Sequence, residues 1–226
     1  MAQFNNDAEV GSSIINDGQP CFYNVENISP VKAKPYYDIV KRVFDFTVAF
    51  LALIILAIPM ALLMVIICLD SPGSPIFRQV RLGKNGKPFV LYKFRSMQKD
   101  AEENGPQLAS ENDPRVTKVG RFIRDTRIDE LPQLINILRG EMSFVGPRPE
   151  RPEFYDLYDT YINGFRQRML VIPGMTGWAQ VNGGYEIEPE KKIIFDVYYI
   201  KNRSVKMDLI CLIKTVSVVF THKGAR

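Results

Sequence analysis

The residue types best suited to chemistry in this chain lie between residues 127 and 150, in the stretch RIDELPQLINILRGEMSFVGPRPE. Asp129 and Glu130 are adjacent carboxylates, and a rigid Gly146-Pro147-Arg148-Pro149 corner follows them. Neighbouring carboxylates raise each other's pKa unless a cation relieves the repulsion, and a hard oxygen-liganded ion such as Mg2+ would do so. An aspartate with a reference pKa near ~3.9 at a helix N-terminus stays ionised at neutral pH. That suits a nucleophile or a metal ligand, not a general acid. The same placement also fits a plain N-cap at Asp129 followed by a first-turn acid at Glu130. Prolines on both sides of Arg148 present its guanidinium at little ordering cost, as bidentate phosphate recognition requires. An ordinary proline-rich turn has the same sequence.

Cations gather around this pair. Lys93 and Arg95 end a hairpin, while Arg115, Lys118, Arg121, Arg124 and Arg127 recur every third residue. On an α-helix that spacing drifts by about 60° per step, so some of these side chains must face solvent. The only histidine is His222, which removes Ser-His, Cys-His and His-ligated metal chemistry. Cys21, Cys68 and Cys211 show no CxxC spacing, so neither a disulfide framework nor a zinc site is indicated, and a reducing compartment fits. The balance of 29 Lys+Arg against 25 Asp+Glu gives a net charge of +4. This mildly favours anionic partners such as phosphates or lipid head groups and gives no sign of nucleic acid. Carboxylates, a cation requirement and arginines beside an apolar segment together suggest phosphoryl transfer involving a lipid-linked acceptor.

Residues 1–36, rich in Asn, Asp, Gly and Ser, read as a poorly ordered extension with no signal peptide. From Thr47 to Leu69 there is no charged residue, and a helix of that length at ~1.5 Å per residue could cross a ~30 Å hydrocarbon layer. Pro59 would break its hydrogen-bond ladder near the middle. A spanning helix tolerates that, whereas a re-entrant helix that leaves by the face it entered uses it. Lys41 and Arg42 on one flank and Arg78, Arg81, Lys84 and Lys87 on the other leave the two topologies open.

Downstream, IFRQVRLGKNGKPFVLYKF reads as a hairpin around a type I′ turn at Asn85-Gly86. Val119, Phe122 and Ile123 mark a short amphipathic helix; Leu131, Leu134, Ile135 and Leu138 mark a second, closed by Arg139 and Gly140. Further helices are expected over 150–169, 188–202 and the apolar MDLICLIKTVSVVF segment.

Three stretches, FRQVRLGKNGKPFVLYKFRSM, DPRVTKVGRFIRDTRIDELPQLINILRGEMSFVGPRP and PGMTGWAQVNGG with the later DVYYIKNRS, resemble the bacterial sugar transferases. These are monotopic polyprenyl-phosphate phosphoglycosyl transferases, and the resemblance runs from about residue 38 to 220. It implies transfer of a sugar-1-phosphate from a UDP-sugar to undecaprenyl phosphate with release of UMP, the priming step of exopolysaccharide, capsule or related glycan synthesis. It implies Asp129 as the nucleophile of a covalent phosphosugar intermediate and Glu130 as the Mg2+ ligand. Arg124 and Arg148 would hold substrate phosphates, with Lys93 and Asp196 as further substrate-binding candidates. It also implies a re-entrant helix broken at Pro59, although Ile58 stands where relatives commonly carry serine. Gly184 stands where many relatives have arginine, a phosphate contact that Lys191 or Lys192 would have to replace, and Asp125 where a basic residue is common.

The expected fold is therefore α/β and mainly helical. A membrane-embedded re-entrant helix over 37–70 precedes a catalytic domain over 71–226 that carries a small β-hairpin and amphipathic helices. Expected surroundings are membrane lipids, the cytoplasmic face of a bacterial inner membrane, a homodimer and downstream glycosyltransferases. A non-catalytic scaffold for glycan assembly and a metal-dependent lipid phosphatase are the alternatives.

Overall fold

The computed structural model describes residues 23–103, 105, 113–183 and 187–221. Gly184 and His222 lie outside them. The longest element is α1, Pro35–Asp70, a single 36-residue helix that contains Pro59 and opens with a proline, as a first turn allows. One stripe of α1 packs against the rest of the chain. Ala49, Ala52, Leu53 and Leu56 meet Phe89, Leu91, Leu134 and Ile137, and beyond Pro59 Met60, Leu63, Met64 and Ile67 meet Phe94 and Ile123. The opposite stripe, including Phe50, Ile54, Ile55, Ile58, Leu62 and Leu69, is exposed. An apolar surface of that extent is built for lipid.

The hairpin forms as expected. β2 (Ile76–Leu82) pairs antiparallel with β3 (Pro88–Phe94), in register from Ile76 opposite Phe94 to Leu82 opposite Pro88. Asn85 and Gly86 both take positive φ, the type I′ requirement, and the Lys87 N–H closes the turn on the Lys84 carbonyl. After α2 (Lys118–Asp125), capped by Thr117, the chain makes a 3-10 turn over Ile128–Gln133 and then a short α3, Leu134–Arg139.

The single amphipathic helix expected from Leu131, Leu134, Ile135 and Leu138 is thus two pieces. Pro132 has no N–H to give to the Ile128 carbonyl, and the tighter 3-10 geometry shifts the phase. Leu134 and Ile137 are buried, while Ile135 and Leu138 are only partly so. The helix expected over 150–169 also divides, into α4 (Pro152–Asp159), a short β5 (Ile162–Asn163) and a second 3-10 turn, Phe165–Leu170. Gly164, at φ 91° where side chains are rarely found, turns the chain from β5 into that 3-10 turn as its N-cap.

β4 (Ser143–Val145) and β6 (Gly174–Thr176) pair in parallel beneath the Arg148 corner. A Cβ on Gly174 would come within 2.0 Å of the Gly146 nitrogen, so glycine is needed for that approach. Helices α5 (Trp178–Gly183), α6 (Pro189–Asn202) and α7 (Val205–Thr221) complete the domain, the last two as read from sequence.

Residues 23–34, expected to be poorly ordered, form a strap. Its start, β1 (Tyr23–Asn24), pairs in parallel with β5, and Val25, Ile28 and Val31 pack onto the cores of the domain. Composition marks this stretch as polar because its apolar residues are spaced singly, yet Tyr23, Val25, Ile28 and Val31 each pack on a buried cluster.

Candidate active site

Asp129 and Glu130 sit in the first 3-10 turn, directly after Arg127, which is in the left-handed region at φ 57°. A non-glycine residue rarely adopts that conformation, and strain of this kind collects at functional sites. The turn packs against β3, which supplies Lys93. The Lys93 ammonium lies 3.5 Å from the Asp129 carboxylate and 3.3 Å from that of Glu130. Arg148 donates to Glu130 Oε1 at 2.5 Å and, through its other terminal nitrogen, to Oε2 at 3.4 Å, and also to the Met175 carbonyl. The repulsion between the two acids is therefore relieved by two side-chain cations.

The N-cap of this turn is Arg127 and not Asp129, which lies inside its first turn. Both acids are buried, and burial changes the electrostatics expected from an open helix end. It pushes the Asp129 carboxyl above its ordinary value, and the neighbouring Glu130 charge adds to this, while Lys93, Arg148 and Arg124 pull against it. Burial acts on Glu130 in the same sense, but Arg148 and then Lys93 outweigh it and hold that carboxyl at about 2. Two adjacent carboxylates are thus driven apart. Glu130 is a fixed anion, and Asp129 is a more basic oxygen base and so a better nucleophile once ionised.

Both face a cavity of about 1040 Å3 whose wall includes Lys93, Arg124, Arg127 and Arg148. Of the residues expected at the site, the structure brings Asp129, Glu130, Lys93, Arg124 and Arg148 together there. Asp196 differs. It is 1% exposed, is not among the residues lining the cavity, and pairs with Arg168 Nε at 2.5 Å. It supports the site from behind, because a carboxylate on a buried α6 face is accessible only to a buried cation. Lys192, the alternative cation for Gly184, lines the cavity and binds Glu150 at 2.9 Å; Lys191 faces outward and pairs with Glu188.

Sequence reasoning passed over Arg168 and Glu150. Arg168 is fully buried and donates to the Arg148 carbonyl at 2.8 Å. Glu150 is held at about 2: burial would raise it, but Lys192, Arg168 and Arg81 prevail. The carbonyls of Pro147, Arg148, Pro149 and Glu150 are taken in turn by the Gly174 N–H, Arg168, Arg81 and the Leu82 N–H. The corner that carries Arg148 is over-determined. The position of Glu150 right after Pro149 was a usable signal for its role; for Arg168 there was none.

Among the described residues no group of three or more His, Cys, Asp or Glu gathers as a metal cage. The Asp129–Glu130 pair fits the other mode, in which Mg2+ is held by one or two carboxylates together with substrate phosphates. A metal at Glu130 would compete there with Arg148 and Lys93.

Residues 36–222 match the model of the family described as bacterial sugar transferase. The chain is 44% identical over 195 residues to the UDP-N-acetylgalactosamine-undecaprenyl-phosphate N-acetylgalactosaminephosphotransferase of Aeromonas hydrophila, covering 85% of this chain and 46% of that protein. It is 41% identical over 214 residues to the UDP-glucose:undecaprenyl-phosphate glucose-1-phosphate transferase of Escherichia coli K12, covering 89% and 46%. Against the exopolysaccharide production protein PSS of Rhizobium leguminosarum it is 41% identical over 187 residues, covering 79% and 94%. The chain thus spans about half the length of the first two relatives and nearly all of the third. With the paired acids, the arginine corner and the apolar helix inside a match of this extent, the chain belongs to the bacterial sugar transferase family.

Proposed function

We propose that this chain transfers a sugar-1-phosphate from a UDP-sugar to undecaprenyl phosphate. The observation that carries the reading is the split carboxylate pair, with its four cations, facing a cavity in a domain mounted on an apolar helix. In the first step an Asp129 oxygen attacks the β-phosphorus, the bond to the bridging oxygen breaks, and UMP leaves with that electron pair. In the second, a phosphate oxygen of undecaprenyl phosphate attacks the same phosphorus. The aspartyl–phosphorus bond breaks and the carboxylate returns. UMP is a good leaving group, so neither step needs a general acid, in keeping with a site whose wall includes lysine and arginines and no described histidine.

Arg148, Lys93 and Arg124 neutralise the charge on the phosphates as the fixed positive groups of such sites do. Glu130, held ionised, would hold Mg2+, which when bound neutralises diphosphate charge. Two relatives at similar identity carry names with different sugars, so the sugar is set by local pocket residues.

The membrane reading follows from how α1 is tied down. On its first leg Lys41 pairs with Asp208 and Arg42 donates to the Ile137 and Leu138 carbonyls. At its far end Arg95 donates to the Ile67, Ser71 and Pro72 carbonyls. A straight helix of this length would extend ~54 Å. One domain holding both flanks supports a re-entrant insertion that bends at Pro59, with the catalytic domain on the cytoplasmic face of the inner membrane where nucleotide sugars are found. Assembly as a homodimer, with later glycosyltransferases using the lipid-linked product, belongs to the same proposal. The test is UMP release from a panel of UDP-sugars with undecaprenyl phosphate, with and without Mg2+. UMP and a lipid-linked product from at least one sugar are expected. Inorganic phosphate in place of UMP would make the chain a phosphatase, and UDP-sugar binding without turnover would make it a scaffold.

A further inference from the structure

The family match begins at residue 36, so the strap of residues 23–34 lies outside it. Its contacts are more than packing. The carboxamide of Gln167 grips the strap backbone at two points, accepting from the Ile28 N–H at 2.6 Å and donating to the Glu26 carbonyl at 3.0 Å. Arg203 donates to the Lys32 carbonyl and Lys34 to the Arg203 carbonyl, while Lys201 pairs with Glu26 on the surface. Val25 lies against Gly164, where the second 3-10 turn begins, and with Ile28 it packs on the cluster that contains Phe165. The strap thus covers one side of the Phe165–Leu170 turn.

The other side of that turn faces the catalytic arginine. Arg168, next in sequence to Gln167, donates to the Arg148 carbonyl and pairs with Asp196. Six residues of 3-10 helix are therefore held between the strap and the corner that aims Arg148 at Glu130. A turn this short has few internal hydrogen bonds, so its position is set by what grips it from outside.

We propose that the strap is a positioning element of the catalytic site: through Gln167 it fixes the turn that carries Arg168, and so fixes the Arg148 corner. Gln167 never touches substrate in this scheme and acts only through Arg168. A misplacement of about 1 Å at a catalytic group can cost up to ~100-fold in rate, so loosening the turn should lower turnover without removing any group from the cavity.

This rests on the phosphotransfer reading for its activity arm only. In the full-length chain, Gln167→Ala should lower kcat for UMP release about tenfold and leave KM for the UDP-sugar within about twofold. Gln167→Glu, which still accepts from Ile28 but cannot donate to Glu26, should fall between. Lys201→Ala cuts the surface ion pair of the same strap away from the turn and should match the parent. Val25→Asp, which loosens the strap itself, should give about the same loss as Gln167→Ala, and the double variant no further loss, because both act through one element.

Hydrogen exchange supplies an arm independent of activity. Gln167→Ala should speed exchange in residues 165–170 and at the Gly146, Arg148 and Glu150 amides, with the hairpin unchanged. If Gln167→Ala keeps kcat within twofold, if losses add in the double variant, or if exchange rises uniformly across the domain, the strap is only a stabilising cover and the proposal fails. If the parent releases no UMP from any UDP-sugar, the phosphotransfer reading falls, and exchange at the Arg148 corner still decides the coupling.

Discussion

Two clusters of opposite charges adjoin the same cavity. In one, Lys93 and Arg148 hold Asp129 and Glu130; in the other, Arg168, Lys192 and Arg81 hold Glu150, with Asp196 behind Arg168. In the second cluster the Arg148 corner is bound at the Pro147, Arg148, Pro149 and Glu150 carbonyls, and the ion pair at its base is sealed, with both side chains at most 1% exposed. In the first, one acid is held at about 2 while its neighbour is pushed upward. Glu150 is likewise held at about 2 and burial pushes Asp196 upward, so the acids are split in both clusters. Access separates them: Asp196 is sealed behind Arg168 and builds a support, whereas Asp129 lines the cavity and stays open to a substrate.

The most severe break in this comparison is Asp129→Asn. If Asp129 is the nucleophile proposed above, its loss should lower UMP release by at least about 1,000-fold, a scale typical of such deletions. Stability should move the other way. Because the folded pKa of Asp129 lies above its ordinary 3.8, its ionised form is disfavoured by folding, and that penalty is complete once pH exceeds the folded pKa. At pH 7 the variant should therefore melt at or above the parent in a thermal scan. A clear drop in Tm would mean that Asp129 is structural.

Asp196→Asn should give the reverse pattern. Burial raises the Asp196 carboxyl as it does that of Asp129, but here removal takes the close partner from the fully buried Arg168, leaving a poorly compensated charge, for a loss of about 3–5 kcal/mol. Chemical denaturation measures this directly. Activity per folded molecule should fall less than in Asp129→Asn, and a variant as stable as the parent would remove the distinction between the two clusters.

A third test sharpens the reactive cluster alone. Lys93 is the largest influence lowering the Asp129 pKa, so Lys93→Met should let that pKa rise further. The acid limb of kcat/KM, where Asp129 protonates and the rate falls, should then move to higher pH. Glu130 follows the opposite sign. Its folded pKa of about 2 lies below the ordinary 4.5, so its contribution to stability is present above about 4.5 and lost as pH falls toward 2. An acid limb unmoved by Lys93→Met would indicate that another group titrates there.

The reactive cluster was legible in sequence, and the support was not. Asp129, Glu130 and Arg148 stand out because adjacent acids and an arginine between prolines are local patterns. Lys93 could be suspected because the Asn85-Gly86 turn fixes the hairpin that carries it. Asp196, a substrate-binding candidate only through the resemblance, lies behind the cavity wall paired with Arg168, a placement that no local pattern in the sequence shows. The strap was missed because its stability comes from residues such as Gln167 and Arg203, far away in sequence, gripping its backbone. The break at Pro132 was visible, but the phase shift it imposes on Leu134 and Ile137 needs the 3-10 geometry to be known.

The smallest expected effect isolates what the fold adds to residue type. Arg166 and Arg168 belong to the same 3-10 turn, and each pairs with aspartate at 2.5 Å. Arg166 is 43% exposed and bridges Asp156 and Asp159, where water and salt screen the charges and two flexible side chains lose entropy. Arg166→Ala should therefore cost no more than about 0.5 kcal/mol in a denaturant titration, shrinking further at high salt. Arg168 makes a bond of the same length where neither water nor salt reaches it, and it also holds the carbonyl of Arg148. If Arg166→Ala instead cost several kcal/mol, bond geometry alone would be setting these energies. If it costs almost nothing while Asp196→Asn unfolds the domain, burial is what converts an ordinary arginine–aspartate contact into the base of the active site.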